Sequence, residues 1–104
     1  MYNQVYLIGR LTANPKVETN ESDKKVLSIT LAVQRGYKNS DGIYETDFVP
    51  CILWDGIASN TSEYCKKGDL VAIRGQIKTN KNKIIEIIVD KISFLAQKNI
   101  KEEE

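Results

Sequence analysis

The chain has 104 residues, 41% of them hydrophobic and 28% charged, with a formal net charge of +1. That length makes one domain with a small core of its own, and the apolar runs fall far short of the roughly 18 residues that a membrane-spanning helix needs. There is no histidine, which removes histidine general bases, serine triads and Cys/His zinc sites, so neither an enzyme nor a cofactor is expected.

The opening MYNQVYLIGRL has no basic stretch ahead of its apolar part, so a soluble, cytoplasmic protein without membrane association is expected. Cys51 and Cys65 lack CxxC spacing and read as buried free thiols. The charge balance is uneven: without Glu102, Glu103 and Glu104 the remainder carries +4, enough to assist the binding of an anion but not to drive it alone.

A first strand is predicted over residues 4–12, with Val5, Leu7, Gly9 and Leu11 on one face and Tyr6, Ile8 and Arg10 on the other, until Asn14 and Pro15 break it. A polar segment, 19–25, leads into a second strand. There Leu27, Ile29, Leu31 and Val33 alternate with Ser28, Thr30, Ala32 and Gln34, and a period of two sends the first set to a core. Lys38, Asn39, Ser40, Asp41 and Gly42 have the chemistry of a hairpin turn. The third strand, 44–54, places Val49, Cys51 and Leu53 on one face and Phe48, Pro50, Ile52 and Trp54 on the other. Both faces are apolar, so Phe48 and Trp54 either meet a second layer or form an exposed platform.

The period then changes. Ile57, Ala58, Thr61, Tyr64 and Cys65 make one stripe of a helix over 56–67, stopped by Gly68, with Lys66 and Lys67 suited to a helix C-terminus. A fourth strand follows over 70–79, a tight polar turn over 80–83, and a fifth strand over 84–95. In that last strand Ile85, Ile87 and Val89 face one way and Ile84, Glu86, Ile88 and Asp90 the other. No internal repeat stands out. Five strands with one short helix between the third and fourth is the order of the OB-fold, an all-β, partly open five-stranded Greek-key barrel whose middle strands and loops bind oligonucleotides. The domain is expected over 1–96, followed by a short charged tail, 97–104.

Rings at Tyr37, Phe48 and Trp54, interleaved with cations, are what a sheet needs to hold unpaired bases, because every base has a face to stack and every nucleotide a phosphate. The plainer readings are a core tryptophan and an amphipathic strand-end tyrosine. The phosphate-binding candidates are Arg10, Arg35, Lys38, Arg74, Lys78, Lys81 and Lys83, each of which taken alone is an ordinary solvated charge. Tyr2, Tyr6, Tyr44, Tyr64 and Phe94 are assigned to packing or subunit contacts. Glu45, Asp47 and Asp55 suggest a magnesium site, but Asp55 falls past the strand end, so no metal site is expected.

Asn3 with Val5, then LIGRLTANP, ITLAVQRGYKN, DGIYETDFVPCILW, SEYCKKG and RGQIKT follow one another over residues 1–95, and in these blocks the chain resembles the bacterial single-stranded DNA-binding proteins. The resemblance implies sequence-tolerant binding and protection of single-stranded DNA in replication, repair, recombination or transfer, with Tyr37, Phe48 and Trp54 stacking bases. It also implies a homotetramer, or a dimer, with contacts from the first strand and outer sheet faces. The family's fourth stacking position falls on Asn82, and its long loop between the fourth and fifth strands is here a short turn, so one groove wall is reduced. The family ends in an acidic tip with a terminal phenylalanine that recruits replication and repair proteins; KNIKEEE has no aromatic anchor, so such recruitment is not expected. That ending fits a trimmed chain or a minimal variant of the kind a phage or mobile element encodes. The alternative is a primosomal-type OB-fold accessory protein, a dimer that binds protein partners and binds single strands weakly. More distant are an RNA-binding OB domain and a metal nuclease.

Overall fold

Each alternating segment forms a strand in the computed structural model, which describes residues 1–97. In chain order these are β1 (Val5–Leu11), β2 (Glu18–Thr19), β3 (Lys25–Lys38), β4 (Tyr44–Trp54), the helix α1 (Asp55–Tyr64), β5 (Leu70–Thr79) and β6 (Ile85–Ala96). The sheet order is β1-β5-β6-β4-β3-β2, and a further β1–β3 pairing closes its five long strands into a barrel. This is the OB-fold arrangement, with α1 between the third and fourth barrel strands. The two-residue β2, paired with Lys25 and Val26, is an addition to the expected elements.

The core is the inward set of the alternation. Leu27, Ile29 and Leu31 from β3 meet Cys51 and Leu53 from β4, Val71 and Ile73 from β5, and Ile87 and Val89 from β6, with Ala58 from α1 closing one end. Closing a small barrel brings backbones too near for a side chain at two points. A Cβ on Gly9 would lie 2.5 Å from the carbonyl oxygen of Ala32, and one on Gly75 would press on that of Ile88.

The helix starts in a single residue: Trp54 is extended (φ −118°, ψ 150°) and Asp55 takes φ 50°. It stops at Tyr64 rather than running to Lys67. The backbone donors that would extend it are used elsewhere. Lys66 N–H donates to Asp69 Oδ2 (2.9 Å), Lys67 N–H to Asn14 Oδ1 (2.8 Å) and Gly68 N–H to the Leu11 carbonyl (2.8 Å). Lys66 and Lys67 therefore lie beyond the helix, and Gly68, at φ 91°, turns the chain into β5 instead of capping α1.

Three hairpin turns share one design that the sequence reading did not notice. Asn20, Asn39 and Asn80 each accept two backbone N–H bonds on Oδ1, from the residues two and four ahead. Each also has a left-handed residue three ahead, Asp23, Gly42 or Lys83, the three-residue loop with an αL position.

Cys51 and Cys65 are both free and buried. Burial pushes the Cys51 thiol up to about 12, and burial together with the Asp69 charge pushes Cys65 up to about 11. Both stay protonated and chemically inert near neutral pH. Among the described residues no helix is long and apolar enough to cross a membrane.

Candidate nucleic-acid interface

β3 and β4 pair residue for residue from Val26↔Trp54 to Gln34↔Thr46. One face of that ribbon is the core. The other carries Ser28, Thr30, Ala32 and Gln34 against Ile52, Pro50, Phe48 and Thr46, with Trp54 at the end beside Val26. Phe48 is 66% exposed and Trp54 38%, so the two rings form an exposed platform. Between them Pro50 and Ile52 are half-buried, and the facing residues Ser28, Thr30 and Ala32 are short. The rings therefore stand above a low, mildly apolar floor onto which flat groups can settle.

Several cations border this floor. Arg10 pairs with Ala32 across the β1–β3 seam, and Ala32 pairs with Phe48, so the three form one row. The Arg10 guanidinium donates from Nη1 to the Gly68 carbonyl at 2.8 Å. At the other end Trp54 lines a cleft with Asn20, Ser22, Lys24 and Asp55. Lys24 is a neighbour that sequence reasoning missed, because the β2–β3 hairpin that brings it to the same cleft as Trp54 reads in sequence only as a polar segment.

Beyond the β1 seam, β3 and β4 continue as a two-stranded arm whose register shifts between Gln34 and Lys38, bringing Lys38 opposite Tyr44. The Lys38 ammonium lies 5.6 Å from the Tyr44 ring centroid, within cation–π range. On the opposite side of the arm Arg35 grips two carboxylates. Its Nε and Nη2 donate to the two oxygens of Asp47, both at 3.0 Å, and Nη1 donates to Glu45 at 2.6 Å. That hydrogen bonding holds the Asp47 carboxyl below its ordinary range and raises Arg35 above its own, so the pair is fully ionised at neutral pH. Tyr37, 66% exposed, precedes Lys38 in the strand, and alternation turns it to the Arg35 side. The structure thus brings Phe48 and Trp54 together on one face and sets Tyr37 on the other.

The remaining candidates lie on the second hairpin and the far wall. Parallel pairing of Cys51 with Ile87 and Ile52 with Ile88 makes the β5–β6 hairpin leave the barrel at the same end as the β3–β4 arm. Lys78 stands opposite Glu86 near its tip, and Lys81, Asn82 and Lys83 form the short turn itself, bounded by the Asn80–Ile84 backbone bond of 2.9 Å. Arg74 sits apart, opposite Tyr6 and Lys91, with Nε donating to Asp90 at 2.7 Å. Glu45 and Asp47 bind Arg35, while Asp55 opens α1 at the other end of β4. Among the described residues no group of three or more His, Cys, Asp or Glu side chains is placed to hold a metal.

The chain matches the model of the single-strand binding protein family over residues 2–95. Single-stranded DNA-binding protein B of Bacillus subtilis is 39% identical over 106 residues, an alignment covering 94% of each chain. Single-stranded DNA-binding protein 1 of Staphylococcus aureus is 38% identical over 95% of this chain and 69% of its own length. Single-stranded DNA-binding protein 2 of Streptococcus agalactiae is 42% identical over 78% of this chain, which spans only 62% of that relative.

Proposed function

The chain belongs to the single-strand binding protein family, and on that premise we propose that it binds single-stranded DNA without regard to sequence. In this role it protects unpaired strands in the cytoplasm during replication, repair, recombination or transfer, and it carries out no chemical step of its own. The observation that carries the reading is the exposed pair Phe48 and Trp54, on one face of β4 above a floor of short side chains.

Two stacked bases at roughly 1–3 kcal/mol each form the sequence-tolerant part of the affinity. Arg10, Lys38, Lys78, Lys81 and Lys83 supply phosphate contacts; five of them imply a log–log salt slope of about −3.5, or about two decades of affinity between 50 and 200 mM salt. Arg35 and Arg74 must leave their carboxylates to reach a phosphate, so they contribute less. Tyr37 stacks only where the strand curls over the edge of the β3–β4 arm. Titrating labelled oligo(dT) and a duplex of equal length across that salt range tests the reading. The expected result is tight, salt-sensitive binding of the single strand and much weaker binding of the duplex; equal affinity for both contradicts it.

We also propose that the chain assembles with copies of itself, as a tetramer. Tyr6 and Ile8 on the outer face of β1 are largely exposed, and apolar side chains in that position support subunit contact. Light scattering is expected to give about four chain masses at micromolar concentration. A monomer refutes the assembly, and a dimer favours the primosomal-type alternative. Residues 98–104 lie outside the described residues, and with them the expectation about recruitment through the C-terminus.

A further inference from the structure

We infer that Tyr44, with Lys38 beside it, is a further nucleotide contact that extends the Phe48–Trp54 surface along the β3–β4 arm; the inference rests on the single-stranded DNA reading above. Tyr44 shares strand parity with Phe48 and Trp54, so all three rings leave β4 on the same side. Four residues separate Tyr44 from Phe48, a distance of about 13 Å along a strand, and the one side chain between them on that face is Thr46. Opposite lie Gln34 and Lys38. A strand of DNA lying on Trp54 and Phe48 and continuing in the same direction passes over Tyr44.

Charge complementarity favours the same occupant. The arm carries two strand carboxylates, Glu45 and Asp47, and both are drawn to the other side by Arg35. On the side of Tyr44, the strand residues Gln34, Thr46 and Phe48 are neutral and Lys38 is the cation. The ammonium at 5.6 Å from the ring centroid covers part of the ring, and Tyr44 remains 45% exposed. One pair of side chains thus offers a base a ring and a phosphate a cation. Here β3 and β4 pair with each other alone, so the tyrosine serves no core. Sequence reasoning assigns it to packing or subunit contacts, although the parity count already applied to Phe48 and Trp54 reaches it.

The competing account is that Lys38 and Tyr44 only hold the two strands of the arm together. Tyr44→Leu, Tyr44→Phe and Lys38→Gln, titrated with a short and a long labelled oligo(dT), separate the two. Tyr44→Leu is expected to weaken binding of the long oligomer roughly five- to hundredfold and to leave the short one, held by Phe48 and Trp54, unchanged. Tyr44→Phe, which keeps the ring, is expected to restore binding, and Lys38→Gln to reduce the salt slope by up to about 0.7. If the wild type binds and Tyr44→Leu binds both oligomers equally well, the inference is overturned while the parent reading stands. Equal loss for both oligomers without rescue by Tyr44→Phe assigns the ring to the shape of the arm and also overturns it. A wild type that fails to bind oligo(dT) overturns the parent reading, and this inference with it.

Discussion

Replacing Phe48 and Trp54 together by leucine is expected to weaken oligo(dT) binding by about 2–6 kcal/mol, two stacks at roughly 1–3 kcal/mol each. The melting transition should stay nearly in place. The reason lies in the floor beneath the rings. Both side chains leave β4 on its outer face, where Phe48 opposes Ala32 and Trp54 opposes Val26, and neither belongs to the buried core. Leucine keeps an apolar side chain on the strand but gives a base no flat face. Because both rings are taken to hold one strand of DNA, the double change need not equal the sum of the single ones. Anisotropy of a labelled oligomer, with thermal melts of the same samples, checks both halves. Unchanged affinity in a folded double variant would remove the platform from the account.

One residue away the expectation reverses. Leu53 is fully buried in the core, opposite Leu27, and Leu53→Ala is expected to destabilise the fold by about 2–5 kcal/mol through lost burial and the cavity left behind. In a domain of this size each kcal/mol lowers Tm by roughly 4–8 °C. The folded fraction should still bind oligo(dT) as the wild type does. Calorimetry and a binding titration well below the transition separate the two effects. A Leu53→Ala protein that melts normally but binds poorly would mean that the faces of β4 are assigned the wrong way round.

Much of this architecture was legible because period-two alternation is a local property of the chain. Leu27 to Val33 announce their inward face with no knowledge of the rest, whereas from Val49 to Leu53 the alternation separates two faces that are both apolar. The limits were equally physical. The helix was read three residues too long because Lys66, Lys67 and Gly68 look like a helix end, whereas their N–H groups bind Asp69, Asn14 and Leu11, and the last two are remote in sequence. Whether Phe48 and Trp54 meet a second layer depends on what the barrel leaves uncovered, which no strand reports on itself. The two-residue shift between Gln34 and Lys38 could not be foreseen. It places Lys38 opposite Tyr44. Nor does a list of arginines reveal that Arg35 and Arg74 are engaged with Glu45, Asp47 and Asp90.

Whether unpaired bases lie on the outer face of β4 can be read from the emission of Trp54, the single tryptophan of the chain. At 38% exposure the indole is open to a base laid against it, and the stacked base excludes water and opens a nonradiative route. Titration with oligo(dT) is therefore expected to quench the emission strongly and saturably, and added salt to reverse the quenching as the strand dissociates. Emission that stays unchanged while an independent assay shows the oligomer bound would contradict the account, because the DNA would then lie elsewhere on the barrel.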